Sequence, residues 1–328
     1  MHLDTLPSLV LCGGNASGSP VKTVFRLDLG MLEWETMRDL AAPRQRHACC
    51  TVRGSLVALG GYCEIRDRSI EVCGEMLTMT LRERQKIVDL PPLSCGRSAG
   101  AQAVAVEESE STAGRLLLLG GVVEGGSVSS TVHLVDLATG VCTPHSHLLN
   151  ARHLFAAARL PDGSVVCAGG HDNMDIAMAS AEVLRPPQQG KSDAAWKELP
   201  SMLTVRAGCA GCVLSDGRFA VLGGRDEYEY LHSCEAIAVG DVNEGWKEMP
   251  SMHSARAWFA CAAVAGCIIV VGGTDIIVPG AYANSGDGTP SAEVFDEGLN
   301  QWFRLPYDLT GDYVDTTEGF VYMGCALV

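Results

Sequence analysis

Leu9-Val10-Leu11-Cys12-Gly13-Gly14 decides the fold, because the same construction returns as Leu56-Val57-Ala58-Leu59-Gly60-Gly61, Leu116 to Gly121, Val165 to Gly170, Phe219 to Gly224 and Ile268 to Gly273. The first glycines of successive doublets stand 47, 60, 49, 54 and 49 residues apart. Self-similarity at such a period marks a repeat architecture. A short run of Val, Ile and Leu has the composition of a strand buried on both faces. Glycines after it allow φ > 0 and a close backbone approach, so the strand can turn tightly.

Other residues keep phase with the doublets. An arginine stands upstream of five of them: Arg44, Arg97, Arg152, Arg206 and Arg256, with residues 107 to 114 inserted between Arg97 and its doublet. Downstream come a β-rich stretch, a Trp (Trp34, Trp196, Trp246, Trp302) and a Leu-Pro or Met-Pro step ending at Pro91, Pro200, Pro250 or Pro306. In this pattern the whole chain resembles a kelch-repeat β-propeller.

The resemblance implies an all-β, six-bladed propeller with four antiparallel strands per blade, lettered A to D from the channel outward. The chain starts at strand B of blade 1, and Phe320 to Val328 lines up with Arg206 to Leu214, so the C-terminal strand is expected to complete blade 1 and close the ring. One domain over 1–328 results, with blade 1 at 1–37 plus 316–328, blade 2 at 38–93, blade 3 at 94–148, blade 4 at 149–202, blade 5 at 203–252 and blade 6 at 253–315. Phe320 replaces the arginine in blade 1, Ile87 and Cys142 replace the Trp in blades 2 and 3, and Thr274 to Pro290 forms the longest B–C loop.

Net charge is −15, which disfavours nucleic acid or an anionic membrane as partner and suits a basic one; no apolar run reaches the ~20 residues needed to span a bilayer. Met1 to Pro7 has neither a basic nor an apolar segment of a secretory leader. The 14 cysteines fall largely among Ala and Gly of inner strands, reading as small buried apolar residues in a reducing compartment, cytoplasmic or nuclear.

In propellers of this kind that bind peptides, the partner sits on the face made by the D–A and B–C loops. Carried over by position, the partner-binding residues are Arg46, Tyr62, Glu64, Ser98, His153, His171, Asp172, Arg225, Tyr228, Trp258 and Asp275. Acids predominate in these loops, and Tyr62, Tyr228, Tyr230 and Trp258 are the expected aromatic anchors. The arginines Arg44, Arg97, Arg152, Arg206 and Arg256 recur once per blade and are expected to tie loops together with their fixed fork of donors.

Metal and catalytic patterns are weak. Cys142-x-x-His145-x-His147 has no fourth partner. Cys209 and Cys212 project to opposite faces of one strand. Asp172 to Asp175 lacks the glycine and distal Glu of a calcium loop. Neither a nucleophile elbow nor a phosphate-binding glycine loop is present. These observations and the resemblance imply a non-enzymatic adaptor or scaffold, without cofactor, that grips a protein or peptide. The alternative is a small-molecule enzyme of epimerase type at the channel mouth, with Glu64 or Glu227 facing Arg46 or Arg225.

Overall fold

The computed structural model describes residues 7–16, 18–63, 74–80, 83–95, 98–106, 114–186, 195–240, 245–274, 292–305 and 321–328. The described residues contain strands and turns and no helix. Four-stranded antiparallel sheets repeat along the chain. Sheet 1 orders Gly324–Leu327, Leu9–Cys12, Val24–Asp28 and Glu33–Thr36; sheet 2 orders Ala48–Val52, Ser55–Leu59, Gly74–Thr80 and Glu83–Asp89. Sheet 3 orders Gln102–Val106, Arg115–Leu119, Val132–Asp136 and Cys142–Pro144; sheet 4 orders Ala156–Arg159, Val165–Ala168, Ala181–Leu184 and Trp196–Leu199. Sheet 5 orders Ala210–Val213, Phe219–Leu222, Cys234–Ile237 and Lys247–Met249; sheet 6 orders Ala260–Val264, Cys267–Val271, Ala292–Asp296 and Gln301–Arg304.

The second strand of each sheet carries the doublet, and its apolar run is buried on both faces because a neighbouring sheet covers each side. One cluster joins sheets 4 and 5 through Val166, Phe219, Val221 and Trp246; another joins 5 and 6 through Leu222, Phe259, Ile268 and Trp302. Cys209 belongs to the first cluster and Cys212 to the second, so the two thiols point to opposite faces. The innermost strands touch in sequence: Ala48–Val52 meets Gln102–Val106, then Ala156–Arg159, Ala210–Val213, Ala260–Val264 and Gly324–Leu327, which in turn meets Ala48–Val52. In sheet 1 the register pairs Leu9 with Leu327 and Cys12 with Gly324.

The glycine doublets bind one sheet to the next. The second glycine donates its N–H to the loop entering the following sheet: Gly14 to the Arg44 carbonyl, Gly61 to Ser98, Gly121 to Arg152, Gly170 to Arg206 and Gly224 to Arg256, at 2.8 to 3.0 Å. Side chains are excluded at this junction. A β-carbon on Gly169, which has φ +70°, would stand 2.5 Å from the Arg206 carbonyl oxygen. The outer strands add a second tie, since the indole N–H groups of Trp196, Trp246 and Trp302 donate to the carbonyls of Ser146, Pro200 and Pro250 of the preceding repeat.

Candidate functional site at the loop face

The loop entering each sheet is built on a buried fork. Arg152, Arg206 and Arg256 are fully buried and donate one arm to the carbonyl of their own sheet's first doublet glycine, Gly169, Gly223 and Gly272, at 2.7, 2.7 and 2.8 Å. The other arm donates to a third-strand glutamate: Arg152 to Glu182 at 2.8 Å, Arg206 to Glu235 at 2.7 Å, Arg256 to Glu293 at 2.6 Å. Each glutamate also accepts a backbone N–H from the same loop, from Leu149, Leu203 and His253. Burial alone would raise the Glu293 carboxyl, but the N–H of His253 and the Arg256 guanidinium hold it below the usual carboxylate range. Arg44 bonds the Gly60 carbonyl at 2.9 Å in the same way.

In sheet 3 the phase differs from the sequence reading. Ser98 stands where the other repeats carry arginine, donating Oγ to the Gly120 carbonyl at 3.2 Å while its own carbonyl accepts from Gly61. The insertion before this doublet obscured a one-residue slip in the alignment. Arg97 itself lies outside the described residues.

Beyond the fork, the next residue pairs across to the residue after the doublet: Gln45 with Tyr62, Ala99 with Val122, His153 with His171, Ala207 with Arg225, Ala257 with Thr274, and Val321 with Asn15. The residue after that takes a left-handed backbone in every repeat: Arg46 (φ 54°), Gly100 (66°), Leu154 (54°), Gly208 (63°), Trp258 (58°) and Tyr322 (58°). Such a conformation is costly for a residue with a side chain and persists only where its surroundings impose it. Here the backbone is held by a belt of hydrogen bonds: Gly100 N–H donates to the Arg46 carbonyl, Leu154 to Gly100, Gly208 to Leu154, Trp258 to Gly208 and Tyr322 to Trp258, at 2.7 to 2.9 Å.

This turn aims the side chains inward. The Trp258 and Tyr322 rings lie 5.0 Å apart, Tyr230 meets Trp258 edge-on at 5.8 Å, and the Arg46 guanidinium lies 4.4 Å from the Tyr322 ring centre. Gly208 makes room, since a β-carbon there would stand 2.5 Å from Trp258 Nε1. Trp258, expected from the sequence as an aromatic anchor, is therefore only 7% exposed. Tyr322 was missed, although the alignment of the C-terminal strand with the other repeats puts it in phase with Trp258.

The other expected site residues divide into two groups. His153 and His171 are buried, with rings 5.5 Å apart, and His153 Nε2 lies 3.5 Å from the exposed Asp175 carboxylate. Burial, His171 and Arg46 push the His153 imidazole down to about 4, so it is neutral near pH 7. The donor atoms of His153, His171 and Asp175 lie within 4.8 Å of one another, a set able to hold a divalent cation. Tyr62, Ser98, Arg46, Asp172 and Arg225 are half-buried at the loop face, and Tyr228 is 81% exposed. Asp172 and Asp226 order their own loops by accepting backbone N–H groups of Met174, Ile176, Tyr228 and Glu229. Glu64 and Asp275 lie outside the described residues, as do Arg66, Asp67, Arg68, Phe320 and the loop from residue 275 to 290. A cavity of about 550 Å³ opens at the opposite end, lined by Ser215, Asp216, Glu248 and Glu297 between sheets 5 and 6.

No family model matches the chain. It is similar to Kelch-like protein 34 of Homo sapiens, 27% identical over 212 residues that make up 62% of this chain. The match covers 31% of that relative's length. No helix among the described residues is long and apolar enough to cross a membrane.

Proposed function

The chain being a kelch-repeat β-propeller, we propose that it is a non-enzymatic interaction module that grips a protein or peptide on the face of the D–A and B–C loops. The observation that carries this is the exposed apolar set on that face of sheets 4 and 5: Leu149, Met174, Ile176, Leu203, Val205 and Tyr228. Exposed apolar side chains grouped on loops above a rigid scaffold are the usual material of a docking surface. Asp172, Asp175, Asp226, Glu227 and Glu229 surround them and favour a basic partner. Tyr228 and Arg225 contact the partner directly in this reading, while His153, His171 and Trp258 shape the floor below.

The module is a six-bladed ring over 1–328 with the blade limits given above, closed by the C-terminal strand. Its support is the pairing of Leu9–Cys12 with Gly324–Leu327 and the cyclic order of the innermost strands. An adaptor or scaffold role in a cytoplasmic or nuclear setting agrees with the free thiols of the described cysteines. The alternative of a sugar-type enzyme requires a deep pocket at the mouth. Trp258, Tyr322 and Arg46 pack against one another on that face, which favours the interaction reading.

The test is a paired proteomic capture with the wild-type chain and a Met174→Ala, Arg225→Ala, Tyr228→Ala variant whose melting curve is unchanged. A partner captured by wild type and lost from the variant is the expected result. Equal capture by both removes the site from this face.

A further inference from the structure

The seam between sheets 1 and 2 holds a cluster that the interaction surface does not use. Cys12 Sγ lies 3.4 Å from His47 Nε2 and 3.5 Å from Cys49 Sγ, with Cys12 and His47 buried. The three donors come from two sheets: Cys12 ends the second strand of sheet 1, while His47 and Cys49 lead into and lie on the first strand of sheet 2.

The molecule contains its own controls for this position. The structurally equivalent trios at the other seams are Leu59 with Ala101 and Ala103, Leu119 with Phe155 and Ala157, Ala168 with Cys209 and Gly211, Leu222 with Phe259 and Cys261, and Val271 with Met323 and Cys325. Apolar packing or at most a pair of soft sulfur atoms satisfies all five. Only the first seam has an imidazole, and only there do a histidine and two thiols converge. His47 faces the thiols with Nε2, and its ligand atom and both sulfurs lie within 4.8 Å of one another.

We propose that Cys12, His47 and Cys49 bind a thiophilic metal ion, zinc(II), which clamps sheet 1 to sheet 2. Zn–S bonds of about 2.3 Å and Zn–N bonds of about 2.0 Å in tetrahedral array put S and N about 3.5 Å apart and two S atoms about 3.8 Å apart. The separations of 3.4 Å for S and N and 3.5 Å for the two S atoms are each within about 0.3 Å of those values, so small side-chain shifts admit the ion. Two thiolates cancel the charge of the ion, the imidazole is neutral, and a water molecule takes the fourth position of the tetrahedron. Binding releases two thiol protons to solvent as two Zn–S bonds form, with no change of oxidation state. Gly324 keeps the space beside the donors clear, since a β-carbon there would collide with Cys49 Sγ and His47 Nε2.

The experiment uses the full chain, purified with reductant, stripped by chelator and titrated with cobalt(II) and then zinc(II). Expected are one thiolate-bound cobalt per chain, seen as a thiolate-to-cobalt charge-transfer band, displacement of that band by zinc, and a lower melting temperature after stripping. Cys49→Ser should lose most of the band, and His47→Gln should weaken metal affinity by about 10- to 100-fold. A Cys12→Leu, His47→Phe, Cys49→Ala variant copies the Leu119, Phe155 and Ala157 seam and should melt at a temperature indifferent to chelator. A wild-type chain with no charge-transfer band, a band that survives in Cys49→Ser, or a Cys12–Cys49 disulfide in the reduced preparation would overturn the proposal. Should the triple variant fail to fold, the Cys49→Ser titration decides the matter.

Discussion

Arg46 and Tyr322, 276 residues apart in sequence, meet at the channel mouth: the guanidinium lies over the ring at 4.4 Å and donates to the phenol oxygen at 2.8 Å. The backbone belt runs from Arg46 through Gly100, Leu154, Gly208 and Trp258 to Tyr322, so this side-chain pair spans the interval between its two ends. Tyr322→Phe removes one hydrogen bond and keeps the stack, and should cost about 1 kcal/mol in urea unfolding. Tyr322→Ala also empties the space beside Trp258 and should cost roughly 3–5 kcal/mol. Equal losses in the two variants would show that the ring does not pack as described.

The buried Arg206–Glu235 pair leaves a desolvated charge when one member is removed. Arg206→Ala should therefore destabilise by about 3–5 kcal/mol. The paired change Arg206→Met, Glu235→Leu should recover much of that loss. Its cycle of unfolding free energies measures the coupling, and a single variant as mild as the double would contradict the isolation of the pair.

His153 sets an acid limit. Its imidazole titrates near 4 in the folded chain and near 6.5 when unfolded, so between those values the unfolded state binds more protons. Stability from this group is present above pH 6.5 and lost as pH falls toward 4, by on the order of 3 kcal/mol in full. His153→Gln should flatten that part of the melting-temperature profile. An unchanged slope would assign the acid loss to carboxylates such as Glu293.

Cys142 is the thiol poised for modification. A hydrogen bond from Cys95 pulls it down to about 6, and it is half-buried rather than enclosed. Thiolate is the reactive form. Iodoacetamide labelling followed by peptide mapping should modify Cys142 ahead of Cys167 and Cys234, whose thiols burial pushes up. Cys95→Ala should remove this lead; no change would place the cause elsewhere.

The repeat was legible because the doublets answer a steric demand that only glycine meets, and a demand made once per repeat leaves a period. Trp196, Trp246 and Trp302 were legible for the same reason. Glu182, Glu235 and Glu293 were not, although they recur: a lone acid in a strand such as Ala181–Leu184 looks like a solvated face until its arginine is placed beside it. The burial of Trp258 was not legible, because a left-handed φ at a non-glycine residue leaves no mark in composition. Cys12 belongs to one repeat and His47 and Cys49 to the next, so no local spacing could join all three.

The pairing of Leu9 with Leu327 has a mechanical consequence. The two strands are antiparallel, and Ser8 and Val328 exchange backbone hydrogen bonds at 2.8 and 2.9 Å at their outer end. Tension applied between the ends of the chain would load that ladder in peeling geometry, one rung at a time, rather than in shear across all rungs together. Under load the first sheet would open as a zip does, from the rung at Ser8 and Val328 inward.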